Sequence, residues 1–384
     1  MMTKKLATLS GALFLVSGTA SAEIFSGRAS AMGGAGVAGG DYTTSAILNP
    51  ANAIHFRDGD DFGTFLNFGA IADERNDFLD VGDELQERLD QLDGALVTVE
   101  DAQGVSALLS ELSEGALSGE FGAQFSVAIP NELVSAVLYA RQNLLLSATF
   151  DYSDEDRNYL DNLQLEPFLE DNLTSSATAS GYAVRELGLV LARTIPIGNP
   201  DWQLSLGITP KHQTIETIEY TATAADYDID ELDADTYTTE DSDLNLDLGA
   251  TLTWHKTRFG LSARNLVEKD YETVGGNPVP LETLVSGGIG YNGDILTALF
   301  DLDFTASRLP GGEEARFARA GVELDMADWA QLRLGYRHDL EGTVDDTISA
   351  GIGFSPFDVL HLHLAAIKSS DDTLGAALEF GVDL

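Results

Sequence analysis

The sequence predicts an all-β protein, a transmembrane antiparallel β-barrel with 14 strands. Three features lead to this prediction: an export signal at the N-terminus, repeated segments in which apolar and polar residues alternate, and a last alternating segment that runs to Leu384. Alternation with a period of two is typical of strands that have one apolar and one polar face. Such strands cross a bilayer without a long apolar run because only alternate side chains face lipid.

Residues 1–22 have the pattern of a secretory signal peptide. Lys4 and Lys5 form a positive segment, the stretch 6–16 is apolar, and Ala20-Ser21-Ala22 is a small-residue cleavage site. We therefore expect export through the periplasm and cleavage after Ala22. The alternative is a retained membrane anchor, which needs a longer apolar span and no cleavage site.

The composition excludes several classes of protein. The chain has 63 acidic against 21 basic residues and a net charge of -42, so it would repel the phosphates of nucleic acid. Acidic surface loops suit divalent cations or a salty habitat, and charge alone does not choose between them. The chain has no cysteine, which removes disulfides and thiolate chemistry from consideration. We predict no cofactor.

The alternation is clearest in two segments, 244–255 and 374–384. On the apolar face of the second segment lie Leu374, Ala376, Leu378, Phe380, Val382 and Leu384. Similar segments give fifteen candidate strands, near 61–71, 118–129, 132–141, 143–152, 180–193, 201–220, 244–256, 257–267, 281–291, 294–306, 315–325, 328–338, 346–355, 357–367 and 373–384. Single-chain bacterial barrels have even strand numbers, so we predict fourteen and regard 143–152 as the weakest candidate. A secreted or periplasmic sandwich also alternates and is the alternative.

Three long insertions separate the candidate strands. The first, 77–117, is predicted to be helical, with a 3.6-period stripe of Val81, Leu85, Leu89, Leu92 and Leu96 and a second apolar face of Leu108, Leu109 and Leu112. The second, 154–173, is an acidic helical candidate that contains Leu160, Leu163 and Phe168. The third, 224–243, is an acid-rich loop. Long loops of such barrels lie outside the cell.

A glycine-rich segment precedes the first candidate strand. It begins with Gly27-Arg28, continues through a run of Gly and Ala to Asp41, and ends with Asn49-Pro50-Ala51-Asn52. Glycine allows close approach to a surrounding wall, and Asn-Pro favours a turn. A phosphate-binding loop is excluded because no Gly-Lys-Ser or Gly-Lys-Thr follows.

This segment resembles the N-terminal motif of the FadL-type outer-membrane transporter superfamily, and most of all the barrel family named TraF. The resemblance implies a 14-stranded barrel over 61–384 and an inward-folded hatch over 23–60, with Gly27, Arg28, Asn49, Pro50 and Ala51 in the hatch. It also implies passive passage of hydrophobic compounds such as long-chain fatty acids. The TraF name implies the alternative, a structural or assembly barrel linked to conjugal plasmid transfer.

Polar residues inside the candidate strands are expected to line the lumen. The arginines should pair with the carboxylates, since an arginine facing lipid at mid-bilayer would cost about 2–4 kcal/mol. His361 and His363 are two apart and share the polar face; a metal or catalytic role is the alternative for them. The candidates are Asp301, Asp303, Arg319, Glu323, Arg333, Arg337, His361 and His363.

No candidate residues combine into an enzyme active site, because no nucleophile and base form a recognisable pair. The run 226–231 is similar to a calcium loop but has Glu231 where glycine is required and Tyr237 where glutamate is required. We therefore predict no metal site and no enzyme. The expected partners are the lipid and lipopolysaccharide of a bacterial outer membrane, a hydrophobic small molecule, and divalent cations at the acidic loops.

Overall fold

The computed structural model describes residues 25–57, 59–163, 167–223, 234–308, 314–327, 329–369 and 373–384. Within them, fourteen antiparallel strands form one closed barrel, which confirms the predicted fold class. The predicted signal peptide and the acidic run 226–231 lie outside the described residues.

The barrel strands follow one another in chain order. Their bounds are β1 Gly63–Arg75, β2 Ala116–Ile129, β3 Ser135–Asp151, β4 Ser176–Ile195, β5 Trp202–Thr223, β6 Thr238–Trp254, β7 Thr257–Arg264, β10 Leu284–Asn292, β11 Leu296–Asp303, β14 Phe317–Ala327, β15 Ala330–Asp339, β16 Thr347–Phe354, β17 Leu360–Ser369 and β18 Leu374–Asp383. Two small hairpins lie in the connections: β8 Lys269–Glu272 with β9 Pro278–Leu281, and β12 Ser307–Arg308 with β13 Glu314–Ala315.

The barrel closes between its first and last strands. β1 pairs antiparallel with β18, from Gly63 opposite Asp383 to Ala72 opposite Leu374. Each remaining strand pairs with the barrel strand before and after it in the chain. Closure leaves no edge strand with unpaired backbone groups, which is the condition for spanning a membrane with strands.

The two faces of the wall point in the directions that the alternation predicted. Leu244 is 74% exposed on the outside, whereas Asn245 and Asp247 are buried inside. The same holds in β18, where Phe380 is exposed and Glu379 is buried. A sandwich would bury its apolar face, so that alternative is wrong. An apolar exterior around a polar interior is typical of a barrel in lipid.

The strands differ from the predicted segments in three respects. The candidates 132–141 and 143–152 form one strand, β3, which is why fourteen strands result from fifteen candidates. β4 and β5 have 20 and 22 residues, more than the roughly nine to eleven that a strand needs to cross a bilayer. Residues 238–243 of the predicted acidic loop belong to β6, where they pair with β5.

Short turns and long loops lie at opposite ends of the barrel. Turns such as 255–256 and 293–295 join strands at one end, while the connections 76–115, 152–175 and 265–283 lie at the other. All three tryptophans are at the short-turn end, where Trp202 and Trp254 stack with ring centroids 5.8 Å apart. Aromatic residues at this level are typical of a membrane interface.

The long loops contain a helical cluster with its own core. The cluster consists of three helices: α2 Phe78–Leu92, α3 Val99–Glu114 and α4 Asp154–Asn162. Two short helices lie outside the cluster: α1 Gly27–Ala31, near the N-terminus, and α5 Ala234–Tyr237, directly before β6. The buried apolar residues of the cluster include Val81, Leu85, Leu89, Leu92, Leu109, Leu112, Leu160, Leu163 and Phe168. Leu96 was predicted in this stripe but is 69% exposed, because α2 ends at Leu92 and the chain turns away. Among the described residues, no helix is long and apolar enough to span a membrane.

Asp156 joins α4 to the end of the loop. Its carboxylate accepts hydrogen bonds from the Thr174 and Ser175 amides, at 2.8 and 2.7 Å, and from both hydroxyls of these residues. Burial by itself raises the pKa of Asp156, but these hydrogen bonds outweigh burial and hold the pKa below its ordinary value of 3.8.

We expect Asp156→Ala to loosen the loop 153–175, because the amides of Thr174 and of the buried Ser175 lose their acceptor, and an unsatisfied buried amide costs about 1–3 kcal/mol. In the wild type, the contribution of the carboxylate is present above pH 3.8 and is lost as the pH falls through its lowered value. Hydrogen exchange of residues 153–175 at pH 7 and below pH 3 measures both effects. Asp154→Ala is the control, because the Asp154 side chain is 92% exposed. Unchanged exchange in Asp156→Ala would contradict the assignment.

Candidate functional site

The N-terminal segment lies inside the barrel. We call residues 25–56 the plug segment; almost all of it is buried. Its two helical turns form for local reasons. The side chain of Ser26 caps α1, and the side chain of Asn49 caps a 3₁₀ helix, Pro50–Ile54, in which proline occupies a first-turn position that needs no N–H. The first turn contacts β15–β18 and the second contacts β3–β6, so the segment crosses the lumen.

Arg28 makes the main ionic contact between the plug segment and the wall. Its guanidinium donates to both oxygens of Glu323 in β14, at 3.0 and 2.9 Å, and to Asp41 of the plug segment at 3.2 Å. Glu323 also accepts from Arg333 of β15 at 2.6 Å. A bidentate guanidinium–carboxylate pair holds orientation as well as charge. One wall carboxylate is therefore shared between a wall arginine and a plug arginine.

Asp301 and Glu379 bind the plug segment through other donors. Asp301 accepts from the backbone amides of Gly36 and Val37, at 2.6 and 2.8 Å. Glu379 accepts from the Ser26 hydroxyl at 2.5 Å. The predicted arginine pairing of Asp301 is thus replaced by amide donors, which the glycine-rich chain can present because it approaches the wall closely.

The Asn-Pro-Ala turn is packed on the opposite wall. Asn49 donates to Val37 O at 2.9 Å and to Ala250 O of β6 at 3.3 Å, while Ala51 N donates to the Asn49 side chain at 3.0 Å. Pro50 and Ala51 lie directly against Gly207 of β5. Asn49 therefore ties the two halves of the plug segment to each other and to the wall.

Glycines of the wall leave room for the plug backbone. A Cβ placed on Gly335 would lie 2.0 Å from Gly33 N, and one placed on Gly207 would lie 2.3 Å from the Pro50 carbonyl carbon. In the barrel register, Gly335 is opposite Gly321 and Gly207 is opposite Gly249. The plug segment thus fits a surface made of backbone, which no larger residue allows.

The other predicted lumen residues also face inward, and His363 contacts the group formed by Arg28, Glu323 and Arg333. Arg319 pairs with Asp303 at 2.7 Å. His363 is 2.9 Å from Arg333, and His361 is 3.1 Å from Asp383 near the short-turn end. Arg337 places its guanidinium 4.8 Å from the ring centroid of Phe317.

A buried ionic group in the wall was missed at the sequence level. The side chain of Lys211 in β5 is 1% exposed and lies between Glu186, at 3.1 Å, and Asp247, at 2.9 Å. Arg141 also pairs with Glu186. The feature of the sequence that could have predicted this group is the position of Lys211 on the polar face of an alternating segment. Among the described residues, no group of three or more His, Asp and Glu side chains is arranged to hold a metal. Cation binding at the acidic loops stays a prediction.

Residues 46–303 match the sequence profile of the family described as "F plasmid transfer operon, TraF, protein". No curated protein sequence matches the chain.

Among solved structures, the fold is similar to that of hydrocarbon channels. The toluene transporter TbuX of Ralstonia pickettii is 12% identical, with a TM-score of 0.53 over 94% of this chain and 99% of that one. The CymD monoaromatic hydrocarbon channel is 10% identical, with a TM-score of 0.55 over 95% and 99%. The toluene transporter TodX of P. putida is 10% identical, with a TM-score of 0.51 over 95% and 99%. At these identities the likeness concerns the fold.

We expect Arg28→Ala to release the plug segment, because breaking a buried ion pair costs about 3–5 kcal/mol, or roughly a hundredfold or more in the open population. The chain has no cysteine, so a single cysteine at the buried position Ala38 reports opening through its rate of maleimide labelling. Arg28→Lys should give an intermediate rate, since lysine cannot form the bidentate pair. Arg57→Ala is the control, because Arg57 is half-exposed and its pair with Asp383 is worth little. Labelling of Arg28→Ala at the wild-type rate would show that the Arg28–Glu323 pair does not hold the plug segment in place.

We expect Gly335→Ala to displace the plug segment, because the added methyl group meets backbone that cannot move aside within the same packing. Overpacking of this kind costs about 1–3 kcal/mol. Gly119→Ala is the matched control, since its nearest contact, Ile71 O, is at an ordinary 3.9 Å. Thermal unfolding and the same cysteine label measure the effect. Equal behaviour of the two variants would mean that the plug does not rest on the wall glycines.

Proposed function

The chain belongs to the family described as F plasmid transfer operon, TraF, protein, and from this premise we propose that it is a passive outer-membrane channel for hydrophobic compounds, gated by its plug segment. The observation that carries the proposal is the burial of residues 25–56 inside a closed barrel with an apolar exterior. The exterior suits lipid, and a segment that crosses the lumen must move before a solute can pass.

The contacts of the plug segment support a gate. Salt bridges and hydrogen bonds join it to the wall, chiefly at Glu323, Asp301 and Glu379. Such contacts can break and re-form on the timescale of loop and segment motions, unlike the strand ladder of the wall. The polar groups that become exposed can then be hydrated. Flux would follow the concentration gradient of the solute.

The proposed solutes are apolar molecules, with monoaromatic hydrocarbons and long-chain fatty acids as the two classes to compare. Proteins with a similar fold include a toluene transporter and a monoaromatic hydrocarbon channel. Cleavage after Ala22 belongs to the same proposal: it would place the new N-terminus directly before the plug segment, which begins at Phe25.

A second candidate is a structural barrel that serves conjugal transfer. The observation that favours it is the amount of buried charge in the lumen, where Arg28, Glu323 and Arg333 form one group and Lys211, Glu186 and Asp247 another. Paired charged groups of this kind make the barrel lumen rigid, and they leave little apolar surface in it for a hydrophobic solute. The family description points in the same direction.

Uptake into liposomes distinguishes the two candidates. Liposomes that contain a channel should take up labelled toluene or a labelled long-chain fatty acid faster than protein-free liposomes do. Deletion of residues 27–52 should speed this uptake and add ion conductance, because the segment that obstructs the lumen is gone. Arg28→Ala should move in the same direction, and Gly119→Ala should match the wild type. Equal uptake by liposomes with the wild type, liposomes with the deletion variant and protein-free liposomes would refute the channel function. Loss of plasmid transfer in a deletion strain would then support the structural role.

A further inference from the structure

A groove of about 560 Å³ opens on the outer, apolar face of the wall and crosses β14–β17. Its lining is apolar apart from Arg333, whose side chain is buried on the lumen side in its pair with Glu323. The groove therefore presents hydrocarbon, with no charged or hydrogen-bonding side chain directed outward. The outward-facing lining residues are Val322, Leu324, Leu332, Leu334, Ala350, Ile352, Leu364 and Ala366.

The sequence makes this groove by placing small residues in one row. Ala350 lies opposite Leu334 on one side and opposite Ala366 on the other. One row nearer the short-turn end, Ile352 lies opposite Leu364. Neighbouring strands are only about 4.8 Å apart, so the methyl groups of Ala350 and Ala366 lie side by side. Because the surrounding side chains are bulky, these two small residues leave a notch in the surface.

The side chain of Lys368 places a positive charge at one end of the notch. Lys368 is exposed on the outer face of β17, two residues beyond Ala366 and about 7 Å from it along the strand, toward the long-loop end. The nearby Asp346 is engaged by the Tyr336 hydroxyl at 2.5 Å and by His338 at 2.6 Å. Among the described side chains, no carboxylate forms an ion pair with Lys368. The apolar notch can hold a hydrocarbon chain, and the charge of Lys368 beside it can hold an anionic group. The two together are complementary to an anionic amphiphile.

We propose that this groove is a binding site for a phosphorylated lipid of the outer leaflet, with one acyl chain in the notch over Ala350 and Ala366 and a phosphate on Lys368. The ammonium group extends from an apolar surface to the headgroup level, where a lysine stem packs on hydrocarbon and its charge stays hydrated. The site uses the outer face of the wall, so it is independent of what passes through the lumen. It rests only on the proposed position of the barrel in the outer membrane.

Native mass spectrometry of the full barrel tests the site. The probe is lipid A, a phosphorylated and acylated glycolipid, in competition with phosphatidylcholine. Wild type should retain lipid A in preference to phosphatidylcholine. The double variant Ala350→Leu/Ala366→Leu fills the notch and should lower lipid A retention at least fivefold. Lys368→Gln leaves the notch open and should remove the preference while phosphatidylcholine is still retained.

Two matched controls separate the site from general lipid coating. Ala140→Leu enlarges an outward-facing alanine of β3, and Lys256→Gln removes an exposed lysine at the short-turn end. Both should bind lipid A as the wild type does. Thermal unfolding of each variant checks that the barrel is intact. Equal retention in the filled variant and in Ala140→Leu would overturn the acyl-chain slot, and an unchanged preference in Lys368→Gln would overturn the phosphate contact.

Discussion

Closure of the sheet between β1 and β18 is the constraint on which the rest of the structure depends. It pairs the backbone of every strand, and it gives each strand an inside and an outside. Because the strands alternate with a period of two, closure in this register sends leucine and phenylalanine outward and sends Asn, Asp, Glu and Arg inward. The polar groups then lie in a confined lumen, where each of them needs a partner.

The plug segment supplies many of those partners. Asp301 is satisfied by two backbone amides, and Glu323 receives a second guanidinium from Arg28. Two kinds of contact hold the segment. A salt bridge to β14 and a hydrogen bond to the Glu379 carboxylate of β18 are one kind, and close packing on backbone at both Gly207 and Gly335 is the other. The first kind of contact can be exchanged for contacts with water, whereas the second depends on the plug segment staying against the wall.

Three features that the sequence did not predict correctly, or did not reveal, depend on partners distant in the chain. β3 was divided because Arg141 to Asn143 interrupt its apolar alternation, yet pairing with β2 and β4 continues through them. Asp301 was paired with arginine because its amide partners are about 265 positions away. Lys211 was overlooked because its importance comes from Glu186 and Asp247 on neighbouring strands.

The sequence by itself determined the fold class, the lipid-facing residues and the helical loop insertion, since these follow from periodicities within single segments. The short Gly-Arg to Asn-Pro-Ala motif also indicated the family, and the family profile agrees. Only the tertiary structure decided which inward groups meet, how the glycines of the wall receive the plug backbone, and where the outer face has a notch. Those features arise from register between strands and from barrel curvature, and one strand read alone contains neither.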